Sequence, residues 1–198
     1  MMILEWVFAS ESLLASSPTL DELIETERHF NEVLKAYWVA ENYLTFNWWV
    51  LIFLSIVPAV IWWKFVDKSR IFEIVTFGLF LGNIAIILDS IGSTALVWYY
   101  PVRISPYLFP QLYPFDISLV IIPFMFVYQW ARDNDTKFYV YTVLVSAFNS
   151  YFAEAVTIWI GIYKEFTWTS SKSFFIYIAL GILCRLIIKF MKRAALKD

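Results

Sequence analysis

The sequence of 198 residues contains one cysteine and one histidine. A single cysteine, Cys184, excludes an internal disulfide and a cysteine-based zinc site, and its apolar surroundings predict a buried, inert thiol. The histidine, His29, lies in a polar N-terminal stretch and is predicted to be solvated. Hydrolytic sites that use a histidine base are therefore not expected.

Recognisable catalytic motifs are also missing. The chain has no Gly-rich phosphate loop, no Gly-x-Ser-x-Gly elbow and no His-Glu-x-x-His helix. Charged residues make up only 16% of the chain, and the 15 Lys and Arg are scattered or stand beside helix ends, without forming a basic stripe. The sequence therefore predicts no nucleic-acid binding, favours a non-enzymatic protein and assigns neither a cofactor nor a metal.

Apolar residues make up most of the sequence. Hydrophobic residues account for 61% of the chain and aromatic residues for 21%, with ten Trp and a mean hydropathy of +0.65. Such a composition lies outside the range of ordinary soluble domains. It predicts an all-α, multi-spanning membrane protein in the lipid bilayer.

Residues 1–46 are predicted to form a separate N-terminal amphipathic segment. Residues 1–16 fit a short interfacial helix better than a signal peptide, with a disordered start as the alternative. Thr19 and Glu22 have the spacing of a capping box. Apolar residues at three- and four-residue steps then predict an amphipathic helix over residues 19–44, whose apolar face would pack on the membrane body, the bilayer surface or a second copy.

Residues 47–198 are predicted to form a five-helix transmembrane bundle. An apolar run of about twenty residues crosses a hydrocarbon core of roughly 30 Å. The five predicted spans are residues 47–66, 71–97, 115–130, 138–162 and 173–191. Paired tryptophans at both ends of the first span resemble the aromatic belts of membrane interfaces.

The distribution of Lys and Arg predicts the orientation of this bundle. Under the five-span topology, ten of the 15 basic residues fall on the side of the C-terminus and five on the other side. The positive-inside rule then places the C-terminus in the cytoplasm and the N-terminal segment outside. An N-terminal segment folded back against the inner surface is the alternative, because the chain has no cleavable signal to move it outward.

Residues 98–114, between the second and third predicted spans, carry four prolines among aromatic residues. The prolines exclude a regular helix. We predict an extended aromatic segment in the outer interface, which forms a lid over the helices beneath it.

Three carboxylates lie inside or at the rim of the apolar runs. Asp89 and Glu154 each share a helix face with small residues, so both are predicted to point into the bundle at a similar depth. Asp116 begins the third span from the same side, and Arg103 is the only basic residue above them. A carboxylate at the centre of a membrane helix costs roughly 2.5 to 3.5 kcal/mol, so each needs a partner, water or a function.

One hypothesis is an outer-half polar cavity where Asp89, Arg103, Asp116 and Glu154 converge and bind or conduct a small cation or a proton. The alternatives treat the members separately: Asp116 caps a helix, Arg103 neutralises one acid, and a protonated Glu154 bonds to a neighbouring helix. A second hypothesis makes the cavity the site of a membrane-embedded lipid or isoprenoid enzyme or binder. A third makes the chain an assembly subunit that docks a partner through residues 19–44.

The other polar residues within the apolar runs are predicted to have structural roles. Glu73 lies near Lys68 and Arg70, which predicts an interfacial ion pair. Three amides are predicted to bond across helices instead of binding a ligand: Asn83, Gln129 and Asn149.

Several short motifs stand in a distinctive order and spacing. They include Trp62-Trp63-Lys64, Leu88-Asp89-Ser90-Ile91-Gly92, Trp98-Tyr99-Tyr100-Pro101, Pro114-Phe115-Asp116 and Phe152-Ala153-Glu154. Over residues 37–188 the chain resembles an uncharacterised family of small multi-spanning membrane proteins from spore-forming Gram-positive bacteria of the Bacillus and Clostridium type. Family members usually carry a proline after the glutamate, where this chain has Ala155. The resemblance implies a membrane topology and a bacterial habitat, and it implies no activity.

Overall fold

The structure, a computed structural model, describes residues 17–108 and 112–195, and the interfacial helix predicted in residues 1–16 lies outside this range. The described residues are mainly helical, with only two short strands among them, which confirms the predicted all-α fold. The elements in chain order are α1 (Leu20–Glu41), α2 (Phe46–Phe65), a 3-10 turn (Lys68–Arg70), α3 (Ile71–Thr94), β1 (Trp98–Tyr99), the π-helix π1 (Leu112–Val120), α4 (Ile121–Ala131), α5 (Asp135–Ala147), the π-helix π2 (Phe148–Ala153), α6 (Glu154–Trp159), β2 (Lys164–Glu165) and α7 (Ser170–Ala195).

Four helices of the described residues are long and apolar enough to cross a membrane, which fits a multi-pass membrane protein. These helices are Phe46–Phe65, Lys68–Thr94, Pro114–Ala131 and Ser170–Ala195. The predicted span at residues 138–162 is continuous helix only to residue 159, and it is not among the four. Its buried face carries Thr142, Ser146 and Ser150, and these polar side chains lower its mean hydropathy.

Helix α1 begins where its capping box predicts. The Thr19 hydroxyl accepts a hydrogen bond from the amide of Glu22 at 3.2 Å, and the Glu22 carboxylate accepts one from the amide of Thr19 at 2.8 Å. Only Leu34 of this helix is buried, and His29 is exposed as predicted. The C-terminal end joins the bundle, where Trp38 Nε1 donates to the carbonyl oxygen of Arg103 at 2.8 Å.

Two of the predicted spans end early, because the chain turns sharply at both places. Helix α3 ends at Thr94, and Leu96 then adopts a left-handed φ of 53°. The fourth helical segment, which consists of α5, π2 and α6 without a break, ends at residue 159, and Gly161 follows with a φ of 77°. The two turns let β1 and β2 pair as an antiparallel ribbon, so the lid predicted in residues 98–114 begins as a strand.

The third helical segment, which consists of π1 and α4, and the fifth, α7, are both longer than predicted. The third begins at residue 112, three residues before the predicted start, which places Asp116 inside a helix. The prediction that Asp116 caps a helix is therefore wrong. The fifth, α7, covers Ser170–Ala195 instead of residues 173–191.

Close contacts between glycines and large side chains hold the middle of the bundle together. A Cβ atom added at Gly78 of α3 would lie 2.7 Å from the sulfur of Met125 on α4. One added at Gly181 of α7 would lie 2.9 Å from the ring of Phe124. Cys184 is buried in the same core cluster, as predicted. Small residues at these positions let the helices approach one another closely.

One end of the bundle, which we call the charged end, comprises residues 64–73, 128–135 and 185–193. There Glu73 accepts from Arg70 at 3.0 Å and pairs with Lys192 at 2.5 Å, and the Tyr128 hydroxyl also donates to it. The predicted pairing of Glu73 with Arg70 is confirmed. Lys68 lies over the ring of Trp63 instead, at 3.4 Å from its centroid.

Asp135 and Arg185 form a second ion pair at the charged end, with an N–O distance of 2.9 Å, and Lys189 pairs with the same carboxylate. The guanidinium of Arg185 is 4.3 Å from the ring centroid of Phe138. Gln129 of α4 bonds the end of α2: its Nε2 donates to the carbonyl of Phe65 at 3.1 Å. That bond confirms the structural role predicted for Gln129.

The opposite end, which we call the cap end, comprises residues 95–108 and 160–169. The start of α2 supports it, because Trp48 Nε1 donates to the carbonyl of Ile104 at 2.9 Å and Asn47 Nδ2 donates to the carbonyl of Ile160 at 2.8 Å. Beneath the cap end the helices separate enough to leave a cavity.

Candidate binding cavity

The cavity beneath the cap end has a volume of about 330 Å³ and lies between α3, π1, the fourth helical segment and α7. Asp89, Asp116 and Glu154 all line it. The structure thus brings the three carboxylates to one site, although each comes from a different helical segment. Arg103 is not among the described residues that line the cavity.

Asp89 is buried and held by two donors of the cap. Trp98 Nε1 donates to one carboxylate oxygen at 2.5 Å, and the Tyr100 hydroxyl donates to the other at 2.8 Å. Burial, followed by the charge of Asp89, raises the pKa of Tyr100 well above its usual value, so this hydroxyl stays protonated and can donate. Asp89 therefore holds the start of the cap end, at β1, against α3.

Gly92 makes this attachment sterically possible. It lies three residues after Asp89 on the same buried face of α3, as the small-residue pattern predicted. A Cβ atom at Gly92 would lie 2.0 Å from the Trp98 ring. Only glycine lets the indole lie close enough to the helix to reach Asp89.

Asp116 is buried in π1, with 5% of its surface exposed. Its Oδ2 atom has no hydrogen-bond partner among the described residues. The backbone bonds of a π-helix reach five residues back instead of four, and such turns often occur at functional sites. Asp116 is thus a buried carboxylate whose one oxygen remains available to a ligand.

Glu154 directly follows π2 and is half-buried, and it too has one carboxylate oxygen without a partner among the described residues. Its Oε1 accepts from the Tyr177 hydroxyl at 3.2 Å, whereas its Oε2 has no partner among the described residues. At the other end of π2, the buried amide of Asn149 has no partner among the described residues on either its oxygen or its nitrogen. The bond across helices predicted for Asn149 is therefore wrong, and this amide lines the cavity.

Asn83 does not bond across helices either. It is exposed, and its Nδ2 donates to the carbonyl of Leu79 at 2.7 Å, one turn back on the same helix. The prediction for Asn83 is therefore wrong as well. Of the three amides, only Gln129 has the predicted role.

Aromatic side chains from both loops of the cap end close the cavity. The ring centroids of Trp98 and Trp168 are 4.9 Å apart, and those of Tyr100 and Tyr163 are 5.3 Å apart. Phe115 of π1 completes the cluster at 4.6 Å from Tyr100. The sequence predicted an aromatic lid from residues 98–114, and the structure adds the rings of residues 163 and 168 from the facing loop.

Arg103 supports the cap from outside. Its Nε donates to the carbonyl of Tyr100 at 3.4 Å, and its guanidinium lies 5.2 Å from the ring centroid of Tyr99. The amide of Arg103 also donates to Asn42 Oδ1 at 2.7 Å. Arg103 therefore connects the cap to the end of α1, and among the described residues no ion pair joins it to an acid.

The electrostatic character of the cavity follows from its lining. None of the described residues that line it is Lys, Arg or His. Within the described part of the chain, no ion pair involves Asp89, Asp116 or Glu154, and no three His, Cys, Asp or Glu side chains are grouped to hold a metal ion. As far as the described residues line it, the cavity is thus acidic, with no neutralising base and no metal-binding cluster.

Asn149 is the residue of this site that the sequence did not reveal. In an α-helix, two residues five apart point about 140° away from each other, so Asn149 and Glu154 would not share a face. The wider turn of π2 brings both to the cavity. No pattern of the sequence marks this turn.

Similarity to known proteins adds no further information about the site. No family model matches the chain. No curated protein and no solved structure matches it either.

Proposed function

We propose that this chain is an integral membrane protein that binds a cation in the cavity beneath its cap end. The observation that carries the proposal is the lining: three acids, no described base, and free oxygen atoms on Asp116 and Glu154. Buried polar atoms are almost always hydrogen-bonded, and a buried charge without a partner is costly. A bound cation would satisfy both carboxylates.

Binding is better supported than conduction of a cation or proton. On α3 the lining extends from Ala85 toward the cap, and on α7 it extends from Ser173 to Leu180. Below these residues, large side chains such as Phe77, Phe124 and Phe138 are fully buried in the core. These rings separate the cavity from the charged end.

A lipid or isoprenoid with a phosphate or carboxylate head is a poorer fit to the same cavity. Such a head needs a basic partner, and the sequence offered Arg103 for that role. Arg103 bonds to the backbone of the cap, and no described base lines the cavity. An anionic head would therefore face carboxylates.

We further propose that the chain crosses the membrane five times. The fourth helical segment begins at Asp135, which pairs with Arg185 of the charged end. It ends just before Ile160, whose carbonyl accepts from Asn47 at the cap end. The segment thus joins the same two ends as the four apolar helices, and its polar side chains face the bundle instead of lipid.

In this topology the charged end and the C-terminus face the cytoplasm. Ten of the 15 Lys and Arg lie on that side, as the positive-inside rule requires. A reporter fused to the C-terminus, either a phosphatase active only outside or a fluorescent protein that matures only inside, tests this orientation. Phosphatase activity would reverse the topology.

Docking of a protein partner on α1 is a second candidate function. Leu23 and Phe30 lie on one face of this helix and are 53% and 54% exposed. Replacement of both by Gln is expected to abolish a complex captured by cross-linking in cells while the melting temperature of the bundle stays unchanged. An undiminished complex would remove this candidate.

The cation site is tested by converting two of its acids to amides. We expect cations to raise the melting temperature of the purified protein and to change its Trp fluorescence, because Trp98 and Trp168 line the cavity. The Asp116→Asn, Glu154→Gln double variant should lose both responses. The matched control is Glu32→Gln on exposed α1, which should keep them. A response that is equal in the double variant would contradict the proposal.

A further inference from the structure

We propose that the cation of this site is a protonated organic amine with an apolar body, and not a metal ion. The inference rests on the cation site proposed above and names its substrate class. Four features of the cavity support it: its size, its walls, its cap and the placement of its free acceptors.

The size of the cavity exceeds what an inorganic ion needs. A water molecule takes about 30 Å³ of liquid volume, so the 330 Å³ of the cavity would hold a bare ion and leave most of the space empty. Pockets for small organic molecules begin at about this size. Within the described residues, no three acidic or other ligating side chains are grouped as a metal site requires.

The walls of the cavity fit an apolar body. Leu88 and Ile91 of α3 and Ile176 and Leu180 of α7 line it, together with smaller apolar residues. A hydrated inorganic ion gains nothing from such walls. Burial of the hydrocarbon part of an amine against them is favourable, at about 25 cal/mol per Å² of apolar surface removed from water.

The cap presents aromatic rings to the same space. Trp98, Tyr100, Tyr163 and Trp168 all line the cavity. The negative faces of aromatic rings attract ammonium groups, most strongly for Trp and in desolvated sites. The rings therefore attract the positive charge of the ligand, as the carboxylates do, and they also accommodate its apolar body.

The free acceptors indicate an ammonium group that carries N–H donors. Asp116 Oδ2, Glu154 Oε2 and Asn149 Oδ1 all lack a partner among the described residues. An N–H group can donate to such atoms, whereas a quaternary ammonium cannot. Asp89 differs, because Trp98 and Tyr100 already donate to both of its oxygens. It acts as a positioning residue that holds the cap.

The test is calorimetric titration of the full-length protein in detergent with phenethylammonium chloride. We expect binding that is at least about tenfold weaker for Asp116→Asn and for Glu154→Gln, because each loses a charge-assisted bond in a desolvated site. Trp168→Leu should weaken binding about three- to thirtyfold. The Glu32→Gln control should bind as the unmodified chain does, and a melting curve of each variant verifies folding.

Five further probes separate this inference from the cation site itself. We expect sodium, calcium and methylammonium chloride to bind much more weakly than phenethylammonium, and phenethyltrimethylammonium to bind more weakly than its N–H analogue. If sodium or calcium binds and phenethylammonium does not, the substrate class is wrong and the cation site stands. If neutral 2-phenylethanol binds as tightly as the amine, or if no cation binds at all, both proposals are overturned.

Discussion

The charged end and the cavity use the same kind of side chain in opposite surroundings. At the charged end, Glu73 is paired with Arg70 and Lys192, and Asp135 is paired with Arg185 and Lys189. In the cavity, Asp116 and Glu154 have no described basic neighbour within ion-pair distance. An acid that stabilises the fold is accompanied by the bases that neutralise it.

The difference separates two roles that composition cannot distinguish. An acid whose bases belong to the protein has all its interactions satisfied in the folded state. An acid without bases leaves the neutralising charge to a proton or to a ligand.

Glu73→Gln should produce the largest loss of stability. The change removes a carboxylate that holds two bases and the Tyr128 hydroxyl, in a side chain that is 23% exposed. Loss of one member of a buried ion-pair network costs about 3 to 5 kcal/mol, and partial exposure reduces this to about 2 kcal/mol. Thermal unfolding in detergent at a fixed scan rate measures the effect. A melting temperature equal to that of Glu32→Gln would show that the network contributes nothing.

Gly92→Ala should destabilise the cap end by about 1.5 kcal/mol, less than the loss expected for Glu73→Gln, because overpacking of a tight contact forces neighbouring groups to move. The added Cβ would lie 2.0 Å from the Trp98 ring and would separate this ring from Asp89. The measurements are the melting temperature and the Trp emission maximum.

A double-mutant cycle with Trp98→Phe identifies the cause. The smaller ring leaves room for the new methyl group, so Gly92→Ala should cost less in the Trp98→Phe background than in the unmodified chain. Strictly additive losses would contradict the proposed clash.

The amide variants of the cavity should have a small effect of the opposite sign. Asp116→Asn and Glu154→Gln remove buried charges that have no described ionic partner, so no ion pair is lost. Replacement of an uncompensated buried charge is expected to be neutral or to stabilise by up to about 1 kcal/mol. Ligand-free melting curves at pH 7 measure this effect, and a loss as large as that of Glu73→Gln would eliminate the contrast between the two ends.

The smallest effect concerns pH and Asp135, which begins the fourth helical segment at the charged end. Hydrogen bonds from Lys189 and Arg185 hold the pKa of Asp135 below its usual range. Its contribution to stability is therefore fully present above about pH 4, the pKa of an unfolded Asp, and is lost as the pH falls through the lower folded value. Unfolding curves between pH 7 and pH 3 should show that Asp135→Asn loses part of the acid sensitivity. Identical profiles would contradict the pairing.

Local patterns in the sequence predicted the helices and two of the polar faces. The capping box at Thr19 and the small residues around Asp89 and Glu154 act within a few residues of chain, and their consequences appear in the structure. The apolar runs likewise gave the helices of the bundle to within a few residues at most ends. Such signals need no knowledge of distant contacts.

The remaining features depend on contacts between distant segments. Trp168 joins the aromatic cap because β1 pairs with β2 across more than sixty residues of chain. Arg103 forms no ion pair with the described acids, because its amide donates to Asn42 and its guanidinium donates to the carbonyl of Tyr100. The π turns follow from the packing of whole helices. None of these contacts leaves a periodic trace in the sequence.

The π-helix at residues 148–153 has a consequence for how this site tolerates changes in chain length. A π turn holds one residue more than an α turn, so loss of a single residue here would restore a regular α-helix. Asn149 and Glu154 would then stand four residues apart in an α-helix, about 40° apart around its axis, and both would still face the cavity. A one-codon deletion of exposed residue 151 or 152 would thus keep the amide and the carboxylate together at the site, whereas a regular α-helix without a deletion would separate them by about 140°.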